Sequence, residues 1–500
     1  MGEPRTEVFE STALASLHTD IEHDSAAIKT PDEDKSSDPD VVDFERDDPA
    51  NPRNWSTGKK SFNLTVVSLI TLLSPTTSTV SSPISPAIMK HFNTTNEMVG
   101  AFVTTVFLLG YVFGPCIIAP MSEMYGRAIL YKVCIVLFIV FNVACALAPS
   151  MGTLIIFRLL AGIMGSCPIT LGAGSVADMT TAEKRAGAMS GYVIGTILGP
   201  SLGPIIGGYV SPDKGWRWAF WLMAILLGAI AIPVMLLAES YPYVILKRKT
   251  EKLRSETGNM HLRSALDTGK TPRQLFAFSI WRPLKMLMSP IVFLLSLYCA
   301  LVYTFLYLCF TTFPVLLNDE YRFGSGPSGL ATLGLGVGSI LGLFISGGSS
   351  DKISKYLTKK HGGEAKPEYR LPVLIIGAFF TPIGLFWYGW TAYYHTHWIL
   401  PIIGTGFIGA GMLIAFMATT MYVVDAFTMY AASVTASNAI FRCLFAALIP
   451  LAGPSMYTKL GYGWGNSLLG FLGVAFIPVP VIFYRYGERI RKSKMFNVEF

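Results

Sequence analysis

Charge is what this sequence has least of. Asp, Glu, Lys and Arg make up 14% of its 500 residues, against about 25% in a typical soluble domain. With 52% hydrophobic residues and a mean hydropathy of +0.48, an ordinary soluble globular protein is excluded. Acids avoid the middles of the apolar stretches: Glu97, Glu123, Asp178, Glu239, Asp351 and Asp425 all fall at stretch ends. The seven cysteines (Cys116, Cys134, Cys145, Cys167, Cys299, Cys309 and Cys443) lie inside apolar stretches without paired spacing. That speaks against a disulfide framework or a metal site and for small buried apolar side chains. No nucleophile–base constellation or histidine cluster is visible, and His395 and His397 read as solvated loop residues. No G-x-x-x-x-G-K-[ST] loop for ATP phosphates occurs, and the Gly-rich GLGVGS over 334–339 sits inside an apolar stretch. These absences argue against an enzyme, a bound cofactor and a metal. The first 50 residues contain no apolar core, so no cleavable signal peptide is expected.

The charge that is present is uneven. Residues 1–50 hold 15 acids and 4 bases, net −11, which leaves the remainder at +18. That acidic segment, rich in Ser, Asp, Pro and Glu, is expected to be part of a disordered tail over 1–58. Beyond it, twelve stretches have the roughly 20 apolar residues that cross a bilayer: 62–88, 98–119, 129–148, 152–177, 187–210, 217–238, 290–314, 328–349, 371–391, 398–422, 431–456 and 465–486. Lys and Arg cluster after the even-numbered spans, with ten in 239–289, six in 350–370 and five in 485–500. The positive-inside rule then puts both termini in the cytoplasm, and it explains the basic balance without a nucleic-acid partner. The loop 423–430, with Asp425 and no base, goes against the trend. Asn93-Thr94-Thr95 is a glycosylation sequon in an outer loop, and Trp55 suits an interfacial anchor. The expected organisation is a six-helix half over 59–238, a cytoplasmic loop over 239–289 with a surface amphipathic helix, a second six-helix half over 290–486, and a short tail over 487–500.

Helix breakers mark the fifth span. GTILGPSLGPIIGG (195–208) places Gly195, Gly199, Gly203 and Gly207 four residues apart, with Pro200, Pro204 and Gly208 one step behind. Turns have no reason to keep helical spacing. Small residues on one face let helices approach closely in lipid, and the prolines bend the helix. The expected use is a smooth helix that slides or rocks against a partner from the other half. Six spans plus six also invites a search for a repeat. Gly114, Ser122-Glu123 and Arg127 after span 2 match Gly342, Ser350-Asp351 and Lys355 after span 8, and SVADM with Asp178 matches YVVDA with Asp425. The expected fold class is an all-α polytopic membrane protein: twelve transmembrane helices in two pseudo-symmetric six-helix halves around a midplane cavity.

At these residues the chain resembles the major facilitator superfamily and, more narrowly, is similar to the fungal twelve-spanner drug:proton antiporters, over about 51–490. GPCIIAPMSEMYGRAILYK resembles the family's loop 2–3 motif, with Glu123 where the wider superfamily often has Asp. IIFRLLAGIMGS resembles the span 4 motif, with Arg158 as its arginine. GTILGPSLGPIIGG resembles the antiporter motif of helix 5, and NPRNWS the fungal juxtamembrane signature. The resemblance implies a secondary transporter that moves a small organic compound outward and protons inward, acting as a monomer in the plasma membrane, with the vacuolar membrane as an alternative.

Arg158 and Asp178 are the candidates for coupling, with the proton as coupling ion. Glu123, Arg127, Asp351, Lys355 and Asp425 are expected to form charge clusters that hold a cytoplasmic gate closed. For the substrate cavity, Tyr303, Tyr307 and Phe310 share one face of span 7, and span 10 offers Met412, Phe416 and Met417. Asn438 and Arg442 share a face of span 11. Rings and Met repack around varied amphipathic molecules. The rival readings are import of a nutrient or polyamine-type cation, which calls for acids in the cavity, and a non-transporting sensor, which calls for a long cytoplasmic extension.

Overall fold

In hydrocarbon, backbone N–H and C=O groups have no partner but each other, and most of the described residues satisfy them in helices. The computed structural model describes residues 40–45, 47–267, 281–361, 366–427 and 431–492. The expected acidic tail lies outside the described residues up to position 39, as does the C-terminal tail beyond 492. The first half is built from α1 (Thr57–Thr79), α2 (Glu97–Tyr125), α3 (Arg127–Ala146), α4 (Met151–Met179), α5 (Ala182–Lys214) and α6 (Arg217–Met235). The second is built from α7 (Pro290–Asp319), α8 (Leu333–Lys360), α9 (Leu371–Tyr393), α10 (Ile399–Ala426), α11 (Ala431–Leu448) and α12 (Gly453–Phe476), and Pro478–Lys492 continues the last helix. Among the described residues ten stretches are long and apolar enough to cross a membrane, and one of them, Ser433–Ile490, spans α12 and all but the first two residues of α11. The hydroxyl run Ser74–Thr79 keeps α1 outside the ten. Twelve membrane-length helices result.

The packing repeats. In the first half α2 lies on α4, α1 on α5 and α3 on α6, and in the second α8 lies on α10, α7 on α11 and α9 on α12. Both α2–α4 and α8–α10 meet through glycine: Gly110 faces the Gly162 backbone, and Gly338 and Gly342 face the Gly406 and Ala410 backbones. Dispersion between closely approaching backbones holds such pairs where lipid supplies no hydrophobic drive.

The helix 5 glycines point elsewhere than expected. Gly195, Gly199, Gly203 and Gly207 face Ser68, Leu72, Thr76–Thr79 and Val80, all on or beside α1 of the same half. The face that meets the other half is the neighbouring one, where Gly208 and Pro204 touch the short helix Ser325–Ala331 through Ser325 and Gly329, and Ser201 touches Gly336 of α8. The prolines have a local consequence. Pro204 has no N–H for the Pro200 carbonyl, and the Thr79 hydroxyl donates to that oxygen at 2.8 Å. A periodic glycine stripe specifies close approach but not to which neighbour.

Helix ends also shift. Span 1 is not one helix over 62–88: α1 stops at Thr79, and a short helix, Ser85–His91, follows. Pro83 cannot supply the N–H that Thr79 O would accept, and Ser82 N–H bonds it instead at 3.0 Å. Near the C-terminus α11 ends at Leu448, and Gly461, at φ 68°, breaks α12 inside what was read as the loop between spans 11 and 12. Residues 40–45 and 47–58, which composition places in the disordered tail, are ordered. β1 (Val41–Val42) pairs in parallel with β2 (Arg263–Ser264) of the inter-half loop, and Lys249 donates to Asp48 at 2.6 Å. Trp55 is buried, with Lys59 Nζ 3.9 Å above its ring, rather than facing the bilayer as an anchor. The amphipathic loop helix is Pro242–Thr257, with Val244, Leu246 and Thr250 buried.

The packing of α5 sets a test. A Cβ at Gly199 would come 2.6 Å from the Leu72 carbonyl oxygen, whereas at Gly191 the nearest atom, Ser68 Oγ, is 3.6 Å away. Gly199→Ala is expected to lower the thermal midpoint of the detergent-solubilised protein by an overpacking cost of about 1–3 kcal/mol, and Gly191→Ala to leave it unchanged or raise it.

Candidate functional site

The α1 break creates the first polar centre. Ser82 N–H goes to Thr79 O, so the Ser78 carbonyl lacks its helical partner. Arg158 of α4, fully buried, fills the gap. Its Nη1 donates to Thr77 O at 2.7 Å, Nη2 to Ser78 O at 2.6 Å and Ser81 Oγ at 3.0 Å, and Nε to Val103 O of α2 at 3.0 Å. The Phe107 and Phe220 rings sit 4.9 and 5.7 Å from its guanidinium carbon. An arginine inside a bilayer costs roughly 2.5–3.5 kcal/mol on insertion scales unless it finds partners; here it finds main-chain carbonyls rather than an acid. Asp178, the other coupling candidate, is on the same helix but 20 residues on, about 30 Å at 1.5 Å per residue. The two candidates therefore do not form one site.

Asp178 belongs to a cluster on the face that carries the inter-half loop. Arg127 Nε lies 2.5 Å from Asp178 Oδ2, and Nη2 donates to Oδ1 at 3.4 Å. The expected Glu123–Arg127 pairing is not made: Gly126, at φ 102°, ends α2 between them, so their four-residue spacing is not helical spacing. Sequence reasoning missed the role of Glu239. Its carboxylate accepts from Arg127 N (2.9 Å), Ala128 N (3.1 Å), Ser240 N (3.0 Å) and Tyr241 N (2.9 Å), holding the start of α3. A side chain at position 126 would occupy the place of that carboxylate, so glycine is required twice over. The Tyr241 ring covers Arg127 at 5.1 Å, and burial pushes its hydroxyl up to about 12.

The second half repeats the cluster with a different base. Arg370, at the start of α9, bonds Asp351, Ser350 Oγ at 3.2 Å and Asp425 at 3.1 Å. Lys355, matched to Arg127 by sequence spacing, lies exposed on α8. The match failed because α8 runs on to Lys360, and the base comes from beyond a longer loop. Each cluster stays within one half, tying α3, α4 and the segment that follows α6 together in one and α8, α9 and α10 in the other. The expected charge gate between the halves is not built from these ion pairs.

The expected cavity residues separate into two groups. Tyr307 and Phe310 are fully buried in the seam between α1 and α7, where Tyr307 Oη lies 3.1 Å from Ser78 Oγ and Ser82 donates to the Phe310 carbonyl. Tyr303, Met412, Phe416, Met417 and Arg442 are part-exposed although helices surround them, and Asn438 is buried one turn from Arg442. The Arg442 guanidinium lies between the Tyr303 ring (4.5 Å) and the Phe416 ring (4.6 Å). On the face opposite the inter-half loop a cavity of about 560 Å³ opens between the halves, lined among others by Glu97, Thr104, Thr311, Asp319, Tyr457 and Tyr462. It takes residues from the short helix Ser85–His91 and from the ends of α2, α7 and α12, which no linear motif joins. Asn93 is exposed in the loop before α2, at φ 51°.

Residues 67–450 match the model of the Major Facilitator Superfamily. The chain is 55% identical to the MFS-type transporter penM of Penicillium rubens, covering 94% of this chain and 92% of that one. It is 46% identical to the MFS transporter cpaT of Aspergillus oryzae (90% and 91%) and 44% identical to the efflux pump radE of Floropilus chiversii (98% and 91%). Among solved structures, a partially occluded inward-open conformation of the xylose transporter XylE from E. coli superimposes with a TM-score of 0.65 at 18% identity, over 86% of this chain and 98% of that one; this likeness concerns the fold.

The second-half cluster yields a discriminating pair of variants. Arg370→Gln leaves Asp351 and Asp425 without their base and is expected to lower the thermal midpoint measurably. Lys355→Gln is expected to shift stability by less than about 0.5 kcal/mol, as exposed substitutions do.

Proposed function

This chain belongs to the major facilitator superfamily and is a multi-pass membrane transporter, not an enzyme, and we propose that it exports small amphipathic organic compounds in exchange for protons. The observation that carries the reading is the pairing of two six-helix halves around a mixed aromatic, Met and hydroxyl surface, in a chain that aligns over 98% of its length with a protein named an efflux pump. The proline- and glycine-built α5 joins its own half tightly to α1 while its other face meets the second half, a construction suited to a half that rocks as one body. Both termini face the cytoplasm, the membrane is the plasma membrane, and the monomer is the working unit. One charge moving inward across 100 mV releases about 2.3 kcal/mol, and a proton gradient adds to it. Asp178, held by Arg127, is the group that loads and releases the proton. Glu97 and Asp319 at the far cavity favour a second reading, uptake of an organic cation.

Accumulation of fluorescent organic compounds in a yeast strain stripped of its own pumps separates the two. Cells carrying the intact chain are expected to accumulate less than control cells. A protonophore, or Asp178→Asn, is expected to restore accumulation. Higher accumulation in cells carrying the intact chain would mean uptake and would end the export reading.

A further inference from the structure

Two arginines lie inside the helical body, and they are used differently. Arg158 spends its donors on four protein oxygens. Arg442 makes no hydrogen bond to a carbonyl or carboxylate among the described residues, and its buried Nε is left without a partner. The buried Oδ1 of Asn438, one helical turn away, is likewise unpartnered. The titratable groups facing Arg442 are Tyr303 and Tyr307 of α7, Cys299 of α7 and Cys443 beside it, with Tyr192 of α5 across the seam between the halves. None is an acid. Tyr303 and Phe416 flank the guanidinium, a geometry that orients it while leaving its Nε unpartnered. An intramembrane charge whose donors the protein leaves unsatisfied points to a ligand that satisfies them.

We propose that the transported compound carries an acidic group, a carboxylate or an acidic enol or phenol, that docks on Arg442 between Tyr303 and Phe416, with Asn438 beside it and Met412 along its apolar part. This rests on the export reading for the direction of movement, but it stands on the Arg442 environment for the chemistry. Arginine presents paired N–H groups that match a carboxylate, and the flanking rings fit an aromatic or unsaturated body. The uncharged amide of the same skeleton keeps the apolar contacts and loses the ion pair.

The test uses the full chain in detergent near neutral pH, with naphthylacetic acid and naphthylacetamide and a panel of further aryl acids each paired with its amide. Binding is read by calorimetry. At least one acid is expected to bind about tenfold or more tighter than its amide, the range of a charge-assisted hydrogen bond. In Arg442→Gln that acid-to-amide ratio is expected to fall towards one, and in Arg442→Lys, which keeps the charge but not the fork, to be kept in part. A ratio near one across the panel in the intact chain overturns the proposal, as does a ratio that survives Arg442→Gln. The Lys variant and the intact chain decide the matter should the Gln variant not fold. The same pairs in the yeast accumulation assay keep the two readings apart. Arg442-dependent acid binding with raised cellular accumulation would sink export and leave this proposal standing. Lowered accumulation of neutral or cationic compounds, with no acid preference, would do the reverse.

Discussion

The carbonyls of Thr77 and Ser78 are where this structure is most constrained. Lipid offers no water to a broken helix, yet α1 must stop at Thr79 because Pro83 follows. One guanidinium resolves the conflict, and in doing so ties α1 to α4 and, through Val103 O, to α2. The same few residues carry the α1–α7 seam, since Ser78 and Ser82 reach Tyr307 and Phe310. Thr79 also bonds the carbonyl that Pro204 frees on α5. Four helices of one half and the first helix of the other thus converge on a stretch of six residues.

From that point outward the construction is one of duplicated close contacts. Glycine against backbone joins α2 to α4 and α8 to α10. An arginine between two acids fastens the helix ends in the second half, and an arginine with Asp178 and Glu239 does so in the first. Because both clusters are internal to their halves, they stiffen each half as a unit. Motion between units then falls to the apolar and hydroxyl seams, where less is lost on separation. This division, rigid halves and soft seams, is what a transporter with an alternating pathway needs.

Much of this was legible in the sequence, and the failures have physical reasons. Twelve spans, the six-plus-six division and the loop helix followed from hydropathy and charge. The membership of the clusters followed less well. Arg127 and Asp178 do meet, but Glu123, grouped with Arg127 by its place in the motif, stays apart because Gly126, at positive φ, ends α2 between them. Arg370 was missed because the second half carries its base after a longer loop. The α5 stripe was read correctly as a packing surface but assigned to the wrong neighbour, since periodicity fixes a face and says nothing of what lies against it. The far cavity, formed from the short helix Ser85–His91 and three distant helix ends, had no linear signal at all.

The central claim is that Arg158 is consumed by the fold, holding the end of α1, while Arg442 is left for the cargo. Hydrogen–deuterium exchange over residues 76–84, in the intact chain and in Arg158→Gln, tests it most directly. Faster exchange in that segment and in the facing part of α2, with Arg127 and Asp178 unaffected, is the expected result. Unchanged exchange at the α1 break in a variant that has nonetheless lost transport would contradict the claim and return Arg158 to the coupling step.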